Sequence, residues 1–177
     1  MSSSSRVAVV TGSDKGIGLA IVLDLCKKLP GDVILTARNP TLGQEAVKKL
    51  KEEGLNPVFH QLDINDQQSI RTLREFLKER YGGVDVLVND AGILFKEADT
   101  ACFPIQAEVT LQTNFFGTRA VSAELLPLMK PQVAFPTRRA HSLFIDLAYT
   151  LGKGSIQLEK EQFKKKICNR KKYWSLK

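Results

Sequence analysis

The chain has 177 residues, 43% of them hydrophobic, which allows one compact domain with a core but not two full domains. Three cysteines with no C-x-x-C motif, and only two histidines, indicate neither a disulfide framework nor a zinc site. The formal net charge of +7 is uneven: residues 1–130 hold 15 Lys/Arg and 16 Asp/Glu, whereas residues 131–177 hold 11 and 3. This asymmetry argues against one basic, nucleic-acid-binding domain.

The N-terminal sequence MSSSSRVAVVTG has no apolar run long enough for a signal sequence, and no later segment approaches membrane-spanning length. We therefore expect a soluble, cytoplasmic protein that contacts no membrane and holds no metal.

Up to about residue 130, short apolar runs alternate with longer segments of helical period. The runs have the β-branched, two-sided apolar character of buried parallel strands, and they lie at residues 6–10, 32–37, 57–62 and 84–89. Helical patterns with early capping residues and late Lys/Arg lie at residues 16–29, 40–54 and 66–82, and a further long one, taken as the fifth helix of the fold, lies at residues 105–129. This order predicts an α/β fold with a doubly wound parallel sheet.

The pattern changes after Lys130. Residues 133–135 are the only strand-like run there, and Pro136 interrupts them. We predict that the sheet is truncated after the fourth strand and fifth helix, with a domain over residues 1–130 and a basic, helical or disordered tail over residues 131–177. The tail's Lys/Arg runs could contact nucleic acid or anionic lipid, but we interpret them as solvated.

The segment TGSDKGIG, residues 11–18, lies where the first strand should lead into the first helix. In that context Gly12 permits a tight turn, Gly16 lets the backbone approach a diphosphate, and Gly18 lets helix and strand pack closely. The free N–H groups at the start of the helix would then face the anion.

Two cations are predicted near the adenosine ribose of a dinucleotide. Arg38 follows the second strand and Lys15 lies within the glycine segment. A 2′-phosphate needs such cations, whereas a cofactor without it is usually held by an acidic residue, so the sequence favours NADP(H) over NAD(H).

Polar and small residues follow the other two strands. Asp63 comes after the third strand, where it could accept a hydrogen bond from an adenine amino group, and Ala91 and Gly92 come after the fourth, where the backbone could run against a cofactor. Ligands bind at this end of such sheets.

These motifs resemble, in order, those of the short-chain dehydrogenase/reductase family, and more closely the NADPH-dependent carbonyl reductases. TGSDKGIG is similar to T-G-x-x-x-G-x-G, LDI to the family's aspartate motif, NDAG to N-N-A-G, and TNFFGT to the segment with its helix asparagine. The resemblance covers residues 1 to about 132. It implies a Rossmann-like NADP-binding domain and reduction of small carbonyl compounds.

The resemblance also assigns roles to individual positions. Asn114 would match the asparagine that holds a water in the proton relay, and Phe95 and Gln106 would lie near the substrate. Asp14 and Asp90 stand where carbonyl reductases usually have asparagine, and an added carboxylate should weaken binding of a polyanion. The residues expected to contact the cofactor are Gly12, Lys15, Gly16, Ile17, Gly18, Arg38, Asp63, Ile64, Asp90 and Ala91.

Tyr149 and Lys153 have the four-residue spacing of the family's catalytic pair, in which the lysine lowers the tyrosine pKa. Against this pair, no strand bearing the family's serine precedes it, two glycines flank Lys153, and Tyr173 has the same spacing to Lys177. We keep Tyr149 and Lys153 as catalytic candidates but interpret the spacing as coincidental.

Three hypotheses follow from the sequence: a reductase with impaired catalysis, a non-catalytic NADP-binding or interaction protein, or an unstable truncated isoform. The particular carbonyl substrate and the oligomeric state stay open.

Overall fold

The computed structural model describes residues 6–95 and 99–130. Four strands form one parallel sheet in the order β3-β2-β1-β4. They are β1 Arg6–Thr11, β2 Gly31–Ala37, β3 Val58–Gln61 and β4 Val86–Asn89. The predicted doubly wound, Rossmann-like sheet is confirmed, and each strand lies within two residues of its predicted limits.

Helices connect the strands and continue after β4. The first three are α1 Gly16–Lys28, α2 Pro40–Glu52 and α3 Gln67–Tyr81. After β4 come α4 Phe103–Leu111, a π-helical turn Gln112–Gly117, α5 Thr118–Leu125 and a 3-10 turn Leu126–Leu128.

The core has a layer on each face of the sheet. On one face, β1 residues Val7 and Val9 pack in a buried cluster with α3 and α5 residues that include Leu73 and Leu125. On the other face, Val10 packs with α1 and α2 residues that include Val22 and Leu50. Successive side chains of β1 lie on opposite faces of the sheet, and helices cover both faces. This explains why the β1 sequence is apolar throughout.

Helices α2 and α3 have local caps, whereas α1 does not. The side chain of Asn39 accepts hydrogen bonds from the N–H groups of Thr41 and Leu42, and Asp66 caps α3 in the same way. Helix α1 begins after Lys15, whose side chain forms no capping hydrogen bond. The first turn of α1 therefore presents N–H groups that its own N-cap side chain does not satisfy.

The long helix expected over residues 105–129 is divided by the π-helical turn. Gly117 in this turn packs against Ile64, and a Cβ on Gly117 would lie 3.0 Å from the Ile64 side chain. This packing against the end of β3 is a tertiary contact, so the helical period of the sequence did not reveal the interruption.

The two outer strands of the described sheet are less buried than the sequence indicated. β3 and β4 are only half-buried along most of their length. Val84, two residues before β4, forms an isolated parallel bridge to Met129. The Val84 N–H donates to Leu128 O, and the Lys130 N–H donates to Val84 O, each at 2.9 Å. The chain after α5 thus returns to the side of β4 that faces away from β1.

None of the helices in residues 6–95 and 99–130 is long and apolar enough to cross a membrane. The division of the chain at residue 130 stays a prediction, because residues 131–177 lie outside the described part.

Candidate functional site

A glycine turn joins β1 to α1 at the carboxyl edge of the sheet. Gly12 and Gly16 have φ angles of +63° and +59°, a backbone region that L side chains rarely adopt. A Cβ on Gly12 would lie 2.6 Å from Ala91 Cα, whereas a Cβ on Gly16 would meet no protein atom within 4 Å. Gly12 is thus required by packing against the end of β4. The space beside the Gly16 backbone is open, and the approach of a ligand there stays a prediction.

The start of α1 is open on its outer side. Lys15 and Gly16 are exposed, and Ile17 is 72% exposed despite its apolar side chain. Gly18 is buried, and a Cβ there would lie 2.8 Å from both Gly12 O and Ser13 Cα. The start of α1 therefore packs closely against the glycine turn. Its first N–H groups carry a partial positive charge and lie near solvent.

Ser13 fastens the glycine turn to β2. It is fully buried, and its N–H donates to Thr36 O at 2.8 Å. Its Oγ accepts the Thr36 N–H at 3.0 Å and donates to Val10 O at 2.9 Å. The turn is thus held by hydrogen bonds beyond those of the strand ladder.

Thr11 fastens the same turn to the end of β4. Its buried Oγ1 accepts hydrogen bonds from the N–H groups of Asp90 at 3.0 Å and Ala91 at 3.1 Å. The sequence reasoning overlooked Thr11, Ser13 and Thr36 as site-forming residues. Each of these polar residues lies within or shortly after an apolar strand. A polar side chain that is buried there needs a hydrogen-bond partner, and this was the signal that the sequence offered.

Lys15 and Arg38 supply exposed positive charge at this edge. Arg38 directly follows β2, and its backbone oxygen accepts a hydrogen bond of 3.2 Å from Gln61 Nε2. Within the described residues, neither Lys15 nor Arg38 forms an ion pair. Both side chains therefore carry charge that is available to an anion.

Asp63 and Ile64 follow β3 and differ in exposure. The Asp63 carboxylate accepts a hydrogen bond of 2.9 Å from Asn65 N–H, and the Asp63 N–H donates to Ser69 Oγ at 3.0 Å. Ile64 is only 6% exposed and packs against Gly117. The local turn therefore fixes Asp63 at the sheet edge, while the Ile64 side chain belongs to the core.

Asp90, which follows β4, lies against the start of α1. Its carboxylate oxygen Oδ2 lies 2.8 Å from the position that a Cβ on Gly18 would take, in the first turn of the helix. Partial burial raises the pKa of the Asp90 carboxyl, and the nearby Gly18 N–H opposes this rise. The sequence grouped Asp90 with the cofactor contacts, but its position against α1 depends on the fold and was missed.

Asn114 lies in the π-helical turn and pairs with Ile93 through both ends of its carboxamide. Asn114 Nδ2 donates to Ile93 O, and Asn114 Oδ1 accepts the Ile93 N–H, each at 2.8 Å. This pair fixes the segment after β4 against the helix. Gln106, on α4, donates from Nε2 to Ala101 O at 2.7 Å. Phe95, in the segment that follows β4, is half-buried.

Tyr149 and Lys153 lie outside the described residues, so their geometry with Asn114 stays a prediction. Within residues 6–95 and 99–130, no group of three His, Cys, Asp or Glu side chains could hold a metal ion. The described site consists of the glycine turn, the start of α1 and the ends of the four strands.

Comparison with known proteins places this arrangement in a family. The family model for short chain dehydrogenase matches residues 6–134, and the chain belongs to that family. Carbonyl reductase [NADPH] 1 of Bos taurus is 66% identical over 132 residues, which are 75% of this chain and 48% of the bovine protein. The chain spans about half the length of the curated relatives it matches.

Solved structures of related proteins share the fold. Menthone neomenthol reductase from Mentha piperita is 27% identical with a TM-score of 0.65, and the match covers 75% of this chain and 60% of that one. The F189W actinorhodin polyketide ketoreductase, solved with NADPH, is 34% identical with a TM-score of 0.62 over 69% of this chain and 46% of that one.

Proposed function

We propose that residues 1–130 bind NADP(H) and form the cofactor half of an NADPH-dependent carbonyl reductase-like oxidoreductase. One observation carries the proposal: the first turn of α1, which begins at Gly16, has no side-chain cap from its own N-cap residue, and the exposed cations Lys15 and Arg38 lie at the same edge of the sheet, before α1 and after β2. A dinucleotide with a 2′-phosphate matches these features, since its diphosphate suits a helix start and its extra phosphate suits two cations.

The residues present fit this cofactor. Gly12, Gly16 and the start of α1 would hold the diphosphate, with Ile17 and Gly18 contributing backbone. Lys15 and Arg38 would bind the 2′-phosphate, and Asp63, the backbone of Ile64, Asp90 and Ala91 would border the adenosine and the adjoining part of the site. When bound, NADPH supplies the hydride for reduction of a ketone, aldehyde or quinone carbonyl.

The chain's own residues would position the substrate and move a proton. Phe95 and Gln106 would border a small carbonyl substrate. If Tyr149 and Lys153 act as the family's catalytic pair, against the coincidence that the sequence favours, Tyr149 would donate the proton with its pKa lowered by Lys153. Asn114 would support this relay, and because Ile93 occupies both ends of its carboxamide, the π-helical backbone is the part available to a water. Free Cys26 and Cys102 are consistent with a reducing, cytoplasmic location.

A second candidate is an NADP-binding protein without catalysis. The family match ends at residue 134, before Tyr149 and Lys153, so the match includes no equivalent of the catalytic pair. The two candidates share the cofactor site and differ in turnover.

Cofactor selection is tested by titrating NADPH and NADH into the wild type and into Lys15→Ala and Arg38→Ala. Each substitution should weaken NADPH binding about tenfold, since each removes a charge-assisted contact, and should change NADH binding little. Lys28→Ala is the matched control because Lys28 carries the same charge at the far end of α1, where it pairs with Asp24 at 2.8 Å. An equal effect of all three substitutions would contradict the assignment.

Catalysis is tested by NADPH oxidation with a quinone or an aromatic aldehyde. Tyr149→Phe should abolish any turnover, while Tyr173→Phe, at the other tyrosine with a lysine four residues later, should leave it unchanged. Cofactor binding without turnover in the wild type would favour the second candidate.

A further inference from the structure

The strongest feature that the proposed function does not yet explain is the carboxylate of Asp90 against α1. Its backbone N–H donates to Thr11 Oγ1 at 3.0 Å, and its Oδ2 lies 2.8 Å from the position that a Cβ on Gly18 would take in the first turn of the helix. A carboxylate that follows β4 thus lies against the start of α1, where Lys15 forms no capping hydrogen bond.

A carboxylate in this place acts on the same positive end of α1 that would attract a diphosphate. The start of an α-helix carries roughly half a positive charge, and an anion there is stabilised by it. A full negative charge on Asp90 offsets that partial charge and repels a second anion approaching the same turn. Since Asp90 is partly buried, water screens this repulsion less than at an exposed site.

The charge on Asp90 has no countercharge in the described structure. Within residues 6–95 and 99–130, Asp90 forms no ion pair. Burial raises the pKa of its carboxyl, and the nearby Gly18 N–H opposes this rise. The charged residues of the glycine turn are Asp14, which is half-buried, and Lys15, which is exposed. The groups that contact Asp90 from β1 and α1 are the uncharged Thr11 hydroxyl and the Gly18 backbone.

We propose that Asp90 sets the affinity of this site for the diphosphate part of its ligand, by holding a negative charge on the start of α1, and leaves the 2′-phosphate part unaffected. This inference rests on the proposed NADP(H) site and specifies which part of the ligand each charge controls. Lys15 and Arg38 govern the 2′-phosphate, and Asp90 governs the diphosphate.

The test compares NADPH with 2′-AMP, which carries the 2′-phosphate but no diphosphate, in the wild type and in Asp90→Asn. Asparagine has the same shape and keeps a carbonyl oxygen at this position, so only the charge is removed. Asp90→Asn should bind NADPH about tenfold more tightly than the wild type, because the substitution removes a partly screened repulsion between the Asp90 carboxylate and the diphosphate. Its affinity for 2′-AMP should stay within about twofold.

Asp24→Asn is the matched control, since Asp24 is an exposed carboxylate on the same helix and its loss changes the net charge equally. It should alter neither affinity. Should Asp90→Asn fail to fold, Asp90→Ser removes the same charge and supplies a hydroxyl acceptor, and the same gain for NADPH is expected.

The outcomes separate the two claims. If the wild type binds NADPH and the charge-removing variant binds it no more tightly, the inference about Asp90 is wrong while the proposed function stands. An equal gain for NADPH and 2′-AMP would also overturn it, because the effect would then be general to the whole site. If no variant binds either ligand, the proposed function itself fails.

Discussion

Replacement of Ser13 with alanine tests how strongly the glycine turn depends on β2. The substitution deletes the oxygen that accepts the Thr36 N–H at 3.0 Å and that donates to Val10 O at 2.9 Å. Val10 O keeps the hydroxyl of Thr36 as a donor at 3.0 Å, so the main loss is one buried N–H without its partner. Such a group costs about 1–3 kcal/mol.

We therefore expect Ser13→Ala to lower the free energy of unfolding by about 1–3 kcal/mol in urea denaturation, with an unchanged m value. NADPH affinity should fall as well, because the glycine turn loses the hydrogen bonds of the Ser13 side chain. The turn keeps the hydrogen bond from the Ser13 N–H to Thr36 O. Thr72→Ala is the control, since the Thr72 hydroxyl donates to Gln68 O on an exposed part of α3, and its loss should cost less than about 0.5 kcal/mol. Equal unfolding free energies for the two variants would refute the reasoning.

Substitutions at three further positions test the surrounding fold. Leu73→Ala, at a fully buried position in α3, should lower the free energy of unfolding by about 2–5 kcal/mol in denaturant titration, and a loss below about 1 kcal/mol would contradict the described core. Asp85→Ala removes the acceptor of the buried Val7 N–H at 2.8 Å and one acceptor of Lys130 Nζ at 3.1 Å, and should cost about 2 kcal/mol or more. Asp85→Asn, which keeps an acceptor, should cost less, and equal losses would argue against the hydrogen-bonded role. Burial and the hydrogen bond to Asp32 raise the pKa of Tyr81 from 10 to about 12, so this residue's contribution to stability should be present below pH 10 and lost as pH rises through about 12. An ultraviolet titration of wild type against Tyr81→Phe checks this, and a group titrating at its ordinary pKa would contradict it.

The positions of the strands along the chain and the position of the glycine turn could be predicted because each depends on local sequence. β1 reads as an apolar run because helices cover both its faces, and Gly12 and Gly16 mark the two left-handed positions of the turn. Arg38 could be placed at the sheet edge simply because it follows a strand. These signals lie within a few residues of the feature they predict.

Other features depend on contacts between distant segments and could not be predicted in this way. The contact of the Asp90 carboxylate with Gly18 joins residues 72 positions apart, and sequence spacing gives no sign of it. Gly117 of the π-helical turn packs against Ile64, a contact that a helical period does not encode. Tyr149 and Lys153 lie outside the described residues, and their role stays a prediction.

The most direct test of the account is a calorimetric titration of the purified chain with NADPH and, separately, with NADH. The account predicts saturable binding of NADPH that is at least about tenfold tighter than that of NADH, because Lys15 and Arg38 contact a phosphate that NADH lacks. Equal affinities, or no binding of either cofactor at millimolar concentration, would contradict it.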